Sequence, residues 1–159
     1  MSIFIALGIS IGVLGGIWGI VCSAIADTIL PINPAVTFFA WACFYAAGGN
    51  GKEGIKKQLC SNLSGLIYGV LISLVAGVIP AGVIPGLGLG IGLLIFIFCL
   101  CAQAKIEALS FIPGSVIGAA IFFVRGANIN EVPLIAVAIV CGSVLGYISE
   151  AWAKKMAKS

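Results

Sequence analysis

Acid–base or nucleophilic catalysis needs a base beside a nucleophile, paired carboxylates or a bound metal. This sequence offers poor material for each. It has no histidine, and its five acids, Asp27, Glu53, Glu107, Glu131 and Glu150, fall at predicted helix ends or in loops. The cysteines, Cys22, Cys43, Cys60, Cys99, Cys101 and Cys141, lie in or beside apolar segments without C-x-x-C spacing. That pattern suits small apolar packing residues and not a zinc site. An enzyme, a cofactor, a tightly bound metal and a carboxylate proton relay are therefore not expected. The apolar segments do hold neutral polar groups: Thr37, Tyr45, Ser61, Asn62, Ser64, Tyr68, Ser110, Ser115 and Ser143. Hydroxyls and amides replace the hydrogen bonds of water without holding a charge, which suits the path of a small neutral or weakly charged solute. The same groups also suit hydrogen bonds between helices, worth about 0.6–2 kcal/mol each.

The elements that must position these groups are membrane helices. Of 159 residues 62% are hydrophobic and 8% charged, where a soluble domain carries about a quarter charged. Apolar runs recur over about 3–26, 34–47, 59–79, 87–102, 106–124 and 133–152, the signature of transmembrane helices. The chain thus reads as a single all-α integral membrane domain, 1–159, of six spans. Met1-Ser2-Ile3 has no basic region and the first apolar run is longer than that of a signal peptide, so this span is expected to be retained. Its Gly8, Gly12 and Gly16 make a small-residue groove for helix packing.

Spans two and five are irregular. Asn33 is an N-cap and Pro34 a first helical residue, and the Gly48-Gly49-Asn50-Gly51 cluster ends span two after about 14 residues, roughly 21 Å against a ~30 Å hydrocarbon core. It is either a half-helix, tolerated at depth only where protein or water covers it, or a tilted full span lengthened by Leu30–Asn33. Pro113-Gly114 predicts a kink or an unwound point in span five. Gly51–Gln58 and 103–107 read as polar loops, with span three starting near Leu59.

Six spans place Lys52, Lys56, Lys57, Lys105, Lys154, Lys155 and Lys158 on one side and Arg125 alone on the other. Basic residues gather on the cytoplasmic side, so both termini are expected there, and the net charge of +3 is a topology signal with no nucleic-acid partner implied. Laid on itself with an offset of 78 to 79, the chain matches Phe44-Tyr45 to Phe122-Phe123, Gly48 to Gly126, and Ser64, Leu66 and Tyr68 to Ser143, Leu145 and Tyr147. Two halves, 1–79 and 80–159, with three spans each would form an inverted-topology repeat that pairs the interrupted helices two and five.

The stretches GVLGGIWG (Gly12–Gly19), AQAK (Ala102–Lys105) and LSFIPGSVIGA (Leu109–Ala119) resemble the YcdZ-like family of bacterial inner-membrane proteins, a domain of unknown function. The resemblance extends over most of the chain; it implies an inner-membrane location and assigns no catalytic or binding residue. NPAVT (Asn33–Thr37) is similar to the aquaporin pore motif, but the second half offers Ile112-Pro113-Gly114 in a much shorter chain.

Two functions follow from these residues. The first is a transport protein or channel for a small polar solute, assembled as a homo-oligomer in the lipid bilayer. Its path runs along Asn33, Pro34, Thr37, Tyr45, Asn62, Ser64, Tyr68, Ser110, Pro113, Gly114 and Ser115. The alternative is a non-transporting membrane scaffold or accessory subunit, whose glycines serve only assembly.

Overall fold

The computed structural model describes residues 1–28, 31–80 and 84–158. These form α1 (Ile3–Ala24), α2 (Pro34–Ala46), α3 (Gly51–Val78), α4 (Leu87–Ala102), α5 (Ile112–Val124) and α6 (Val132–Lys158). Short 3₁₀ turns, Gln103–Lys105, Glu107–Leu109 and Ile129–Glu131, flank α5. No strand occurs among the described residues. Among the described residues, four stretches are long and apolar enough to cross a membrane: Ile3–Ala24, Gly51–Val78, Leu87–Lys105 and Ile129–Lys158. Helices α2 and α5 have 13 residues each, about 20 Å, so they fall short of an upright span. Leu30, which would lengthen the second span, lies outside the described residues.

Helix α2 begins as its sequence requires. The Asn33 side-chain oxygen accepts from the Ala35 and Val36 N–H groups at 2.9 and 3.3 Å, and Pro34 fills the first turn where no N–H is needed. At its other end the chain turns through four successive left-handed residues, Gly48 to Gly51. Helix α3 then starts at Gly51 and not near Leu59. The expected loop GKEGIKKQ is instead the first two turns of a 28-residue helix. Its Lys, Glu and Gln are good helix formers, and Glu53 favours the positive end of the helix dipole. Helix α5 differs likewise from its expected form. Pro113 stands in its first turn, so it starts the helix at Ile112 and does not kink it. Helix α6 runs past Trp152 to Lys158.

The packing has two matching seams. Helix α5 lies on α3, with Gly114 beside Asn62, Ser115 beside Gly65, and Ala119 and Phe122 beside Gly69. Helix α2 lies on α6, with Thr37 beside Gly142 and Phe44 beside Gly146. Both pairs are parallel. A Cβ at Gly65 would overlap the Ser115 carbonyl oxygen, and one at Gly142 would overlap that of Thr37. Helix α4 packs antiparallel on α3, Gly88 against Ala76 and Gly92 against Ile72, and α1 packs on α6.

Exchanging α1–α3 with α4–α6 therefore leaves the principal contacts unchanged. Residues Val36, Thr37, Ala40, Cys43 and Phe44 of α2 are buried, and so are Gly114, Ser115, Gly118, Ile121 and Phe122, all 78 positions later. Both helices end on the same hydrogen bonds, Gly49 N–H to Phe44 O and Ala127 N–H to Phe122 O, each 3.0 Å. The buried faces of α3 and α6 coincide at 77. Gln58, Ser61, Asn62, Gly65 and Gly69 take the places of Ile135, Ala138, Ile139, Gly142 and Gly146. The offset of 79 that aligned Ser64 with Ser143 is thus not the packing register.

The groove on α1 is open: a Cβ at Gly8, Gly12 or Gly16 would meet nothing within 4 Å among the described residues. Much of α1 and α4 is exposed apolar surface, including Phe4, Ile20, Leu94 and Phe98.

Candidate functional site

The α3–α5 seam holds the least satisfied polar groups of the fold. Gln58, Ser61 and Asn62 sit at helical spacing i, i+3 and i+4, so they share one face of α3. All three are 0% exposed. Both polar atoms of Gln58, both of Asn62 and the Ser61 hydroxyl are buried without a hydrogen-bond partner. The Cys43 thiol of α2, a weak donor, faces Asn62. Buried polar atoms lacking partners are uncommon, because each costs about 1–3 kcal/mol. The first turn of α5, with its partial positive charge, stands against Asn62. A Cβ at Gly114 would lie 3.0 Å from Asn62 Oδ1 and would strike the Phe111 ring.

One turn further along α3 the polar groups are satisfied. Gln103, just past α4, donates from Nε2 to Ser64 Oγ at 3.0 Å and to Ser115 Oγ at 3.1 Å. The two hydroxyls are 3.3 Å apart, and the Tyr68 ring lies against Phe96. This network joins the end of α4 to both helices of the seam.

The α2–α6 seam leaves none of its polar side chains in that state among the described residues. Trp41 Nε1 donates to Ser149 Oγ at 3.0 Å, and the Tyr45 hydroxyl lies 2.7 Å from the same oxygen. Ser149 and Ser143 donate to the Gly146 and Ile139 carbonyls, and Thr37 to that of Asn33. Glu150 accepts from the backbone N–H groups of Asn50 and Gly51, both at 2.9 Å, and pairs with Lys154 at 2.8 Å. It thereby fastens the left-handed turn after α2 to α6.

Each seam opens to a hollow at one end, and the two hollows differ. A vestibule of about 380 Å³ lies at the start of α3, lined by Gly54, Lys56, Lys57, Glu53, Glu107 and Ala108 among others. Gly54 is one turn before Gln58 on the same face, but it packs against the Gly49 backbone, and the triad does not line the vestibule. At the start of α6 the corresponding hollow, over Ile135 and Ala138, has only about 10 Å³. Arg125 and Glu131 close it with a 2.6 Å ion pair.

The residues expected along the path are therefore divided. Asn62, Ser64, Pro113, Gly114 and Ser115 meet in the α3–α5 seam, and Tyr68 borders it. The Ser110 hydroxyl donates to the Glu107 carbonyl just before α5. Asn33, Pro34, Thr37 and Tyr45 belong to the other seam. Gln58, Gln103, Trp41, Ser149 and Glu150 were not among the expected residues. The two glutamines stand in segments that read as polar loops, and the signal that finds Gln58 is its spacing of three and four from Ser61 and Asn62.

The chain matches the family described as "Protein of unknown function (DUF1097)" over residues 8–154. It is 30% identical to the Uncharacterized protein YahC of Escherichia coli (strain K12), over 97% of this chain and 93% of the relative. It is 28% identical to the Inner membrane protein YcdZ of the same organism, over 92% of this chain and 83% of that protein. With the Inner membrane protein YcdZ of Salmonella typhimurium it shares 29% identity over 92% of this chain and 85% of the relative. No solved structure matches it. The chain belongs to the DUF1097 family, and it is a helical membrane protein.

Proposed function

We propose that this chain is a transport protein or channel for a small neutral or weakly charged polar solute, working as a homo-oligomer in the bacterial inner membrane. The observation that carries the reading is the α3–α5 seam, where five polar atoms of Gln58, Ser61 and Asn62 are buried without partners. In hydrocarbon such groups cost several kcal/mol each unless protein, water or solute satisfies them. A solute path supplies that partner.

The location rests on the two relatives named inner membrane proteins. Six crossings with cytoplasmic termini are supported by helix direction, since α2, α4 and α6 run opposite to α3 and α5. The lysines of α3's first turns and of α6's last turns then share one end, the basic side expected in the cytoplasm. In that arrangement the vestibule opens inward, α2 and α5 cross by tilting, and the two sets of three helices are an inverted repeat with its axis in the membrane plane.

The scaffold reading keeps one observation in its favour, the unoccupied glycine groove of α1. Such a groove suits a second copy and says nothing of flux. Osmotic shrinkage of proteoliposomes in a panel of uncharged polar solutes separates the two readings. Transport predicts solute entry above that of protein-free vesicles and its loss in a folded Asn62→Leu oligomer. Pro113→Ala, which changes only the first turn of α5, is expected to reduce entry less. Rates equal to protein-free vesicles across the panel would leave the scaffold.

A further inference from the structure

Gln58, Ser61 and Asn62 stand where α6 carries Ile135, Ala138 and Ile139. The second set shows what this position needs for packing alone: apolar side chains of similar size. The polar set brings two carboxamides and a hydroxyl into an equally buried place, each 0% exposed, and packing does not account for them. We infer that these three residues form a binding site for a small uncharged molecule of the carboxamide or urea class. The inference rests on the permeation reading for its biological setting but is tested by binding alone.

The chemistry selects the class. Two side-chain carbonyl oxygens and a hydroxyl accept, and two NH₂ groups and the same hydroxyl donate. A ligand that satisfies them must carry donors and acceptors close together, as an amide does along its C=O and N–H edge. No charged side chain is buried among the described residues, so an ion would lie there without a counter-charge. A cation would also meet the positive end of α5, which starts at Ile112 beside Asn62. The same end favours an electron-rich carbonyl oxygen. A hollow lies at the start of the same helix, by Gly54 and Lys57, and Phe111 packs on Gly114 next to Asn62. Waters alone could also occupy such a site, and the experiment distinguishes them from an amide.

The test replaces the triad with its counterpart, Q58I/S61A/N62I, in the purified full-length protein in detergent, and follows thermal unfolding with acetamide, glycerol or sodium chloride. A ligand that binds the folded state raises Tm with its concentration. The expected result has two parts: the variant melts above wild type in buffer, and acetamide raises the Tm of wild type but not of the variant. Ser61→Ala, the smallest change, is expected to weaken the acetamide response. A variant that melts below wild type or fails to fold would make the polar atoms structural and overturn the site. So would an acetamide response equal in wild type, triple variant and Ser61→Ala, or a wild-type response to glycerol or salt alone. No wild-type response to any solute would leave water as the occupant and overturn the amide assignment. Amide binding without flux in vesicles would keep this site and remove transport. Flux without amide binding would do the reverse.

Discussion

Gly65 of α3 meets the Ser115 carbonyl as Gly142 of α6 meets that of Thr37, and α5 and α2 share their length, their buried positions and their final hydrogen bonds. Around this common packing the two seams are filled differently. The α2–α6 seam buries Ile135, Ala138 and Ile139, pairs Trp41 and Tyr45 with Ser149, and is fastened by Glu150. The α3–α5 seam puts Gln58, Ser61 and Asn62 in the same places, without partners. Since backbone packing is common to both, it does not require the polar triad. The α2–α6 seam serves as the fixed frame, and the α3–α5 seam gathers five of the buried unpartnered polar atoms, with Trp18 Nε1 of α1 a further one.

The comparison is broken most severely by moving the triad. I135Q/A138S/I139N puts five more polar atoms into an apolar core at about 1–3 kcal/mol each, so expression as a monodisperse protein should be lost. Size-exclusion chromatography after solubilisation reads this directly, and a well-behaved product would mean that the two seams do not differ in what they accept. Next in size are the glycine contacts. Gly65→Val and Gly142→Val should each destabilise by about 3 kcal/mol or more through overpacking against a backbone carbonyl. Gly12→Ala, at an open position, should leave the melting temperature unchanged. Tolerance of valine at one of the two seams only would show that the matched packing is not shared.

Smaller effects test the frame. Glu150→Ala removes the acceptor of two backbone N–H groups and should cost about 2 kcal/mol. Hydrogen exchange should rise at Asn50 and Gly51 while the α3–α5 seam stays protected as before. Ser149→Ala leaves Trp41 Nε1 and the Tyr45 hydroxyl to find other partners and should cost about 1 kcal/mol, seen as a modest fall in melting temperature.

Much of this frame was legible in the residues. Asn33-Pro34 marks the start of α2, the Gly48–Gly51 cluster marks its end, and the match of Phe44-Tyr45 with Phe122-Phe123 fits the ends of α2 and α5. The site was legible only in part. Asn62, Ser64 and Ser115 stood out because polar residues are rare in apolar runs, and Gly114 because it follows Pro113. Gln58 did not, because Lys56 and Lys57 beside it make the segment look like a loop, and only the helix that continues through them turns Gln58 inward. Pro113 reads as a kink or an unwound point, and it is the 3₁₀ turn ending at Leu109 that makes it a first-turn residue instead. Helix partners are a tertiary property: apolar periodicity does not say that α2 packs on α6, so Thr37 and Tyr45 could not be separated from Asn62 by sequence alone.

The central claim is that the seam containing the triad admits water and solute and its counterpart does not. Ser61 and Ala138 occupy matching positions with 0% and 1% exposure, so cysteine at each gives a paired probe once the six native cysteines are replaced. The measurement is the rate of modification by methyl methanethiosulfonate, a small uncharged thiol reagent, applied to membrane vesicles. Ser61→Cys should react and be protected by acetamide, and Ala138→Cys should remain unmodified. Equal labelling of the two positions, or labelling of Ala138→Cys alone, would contradict the account.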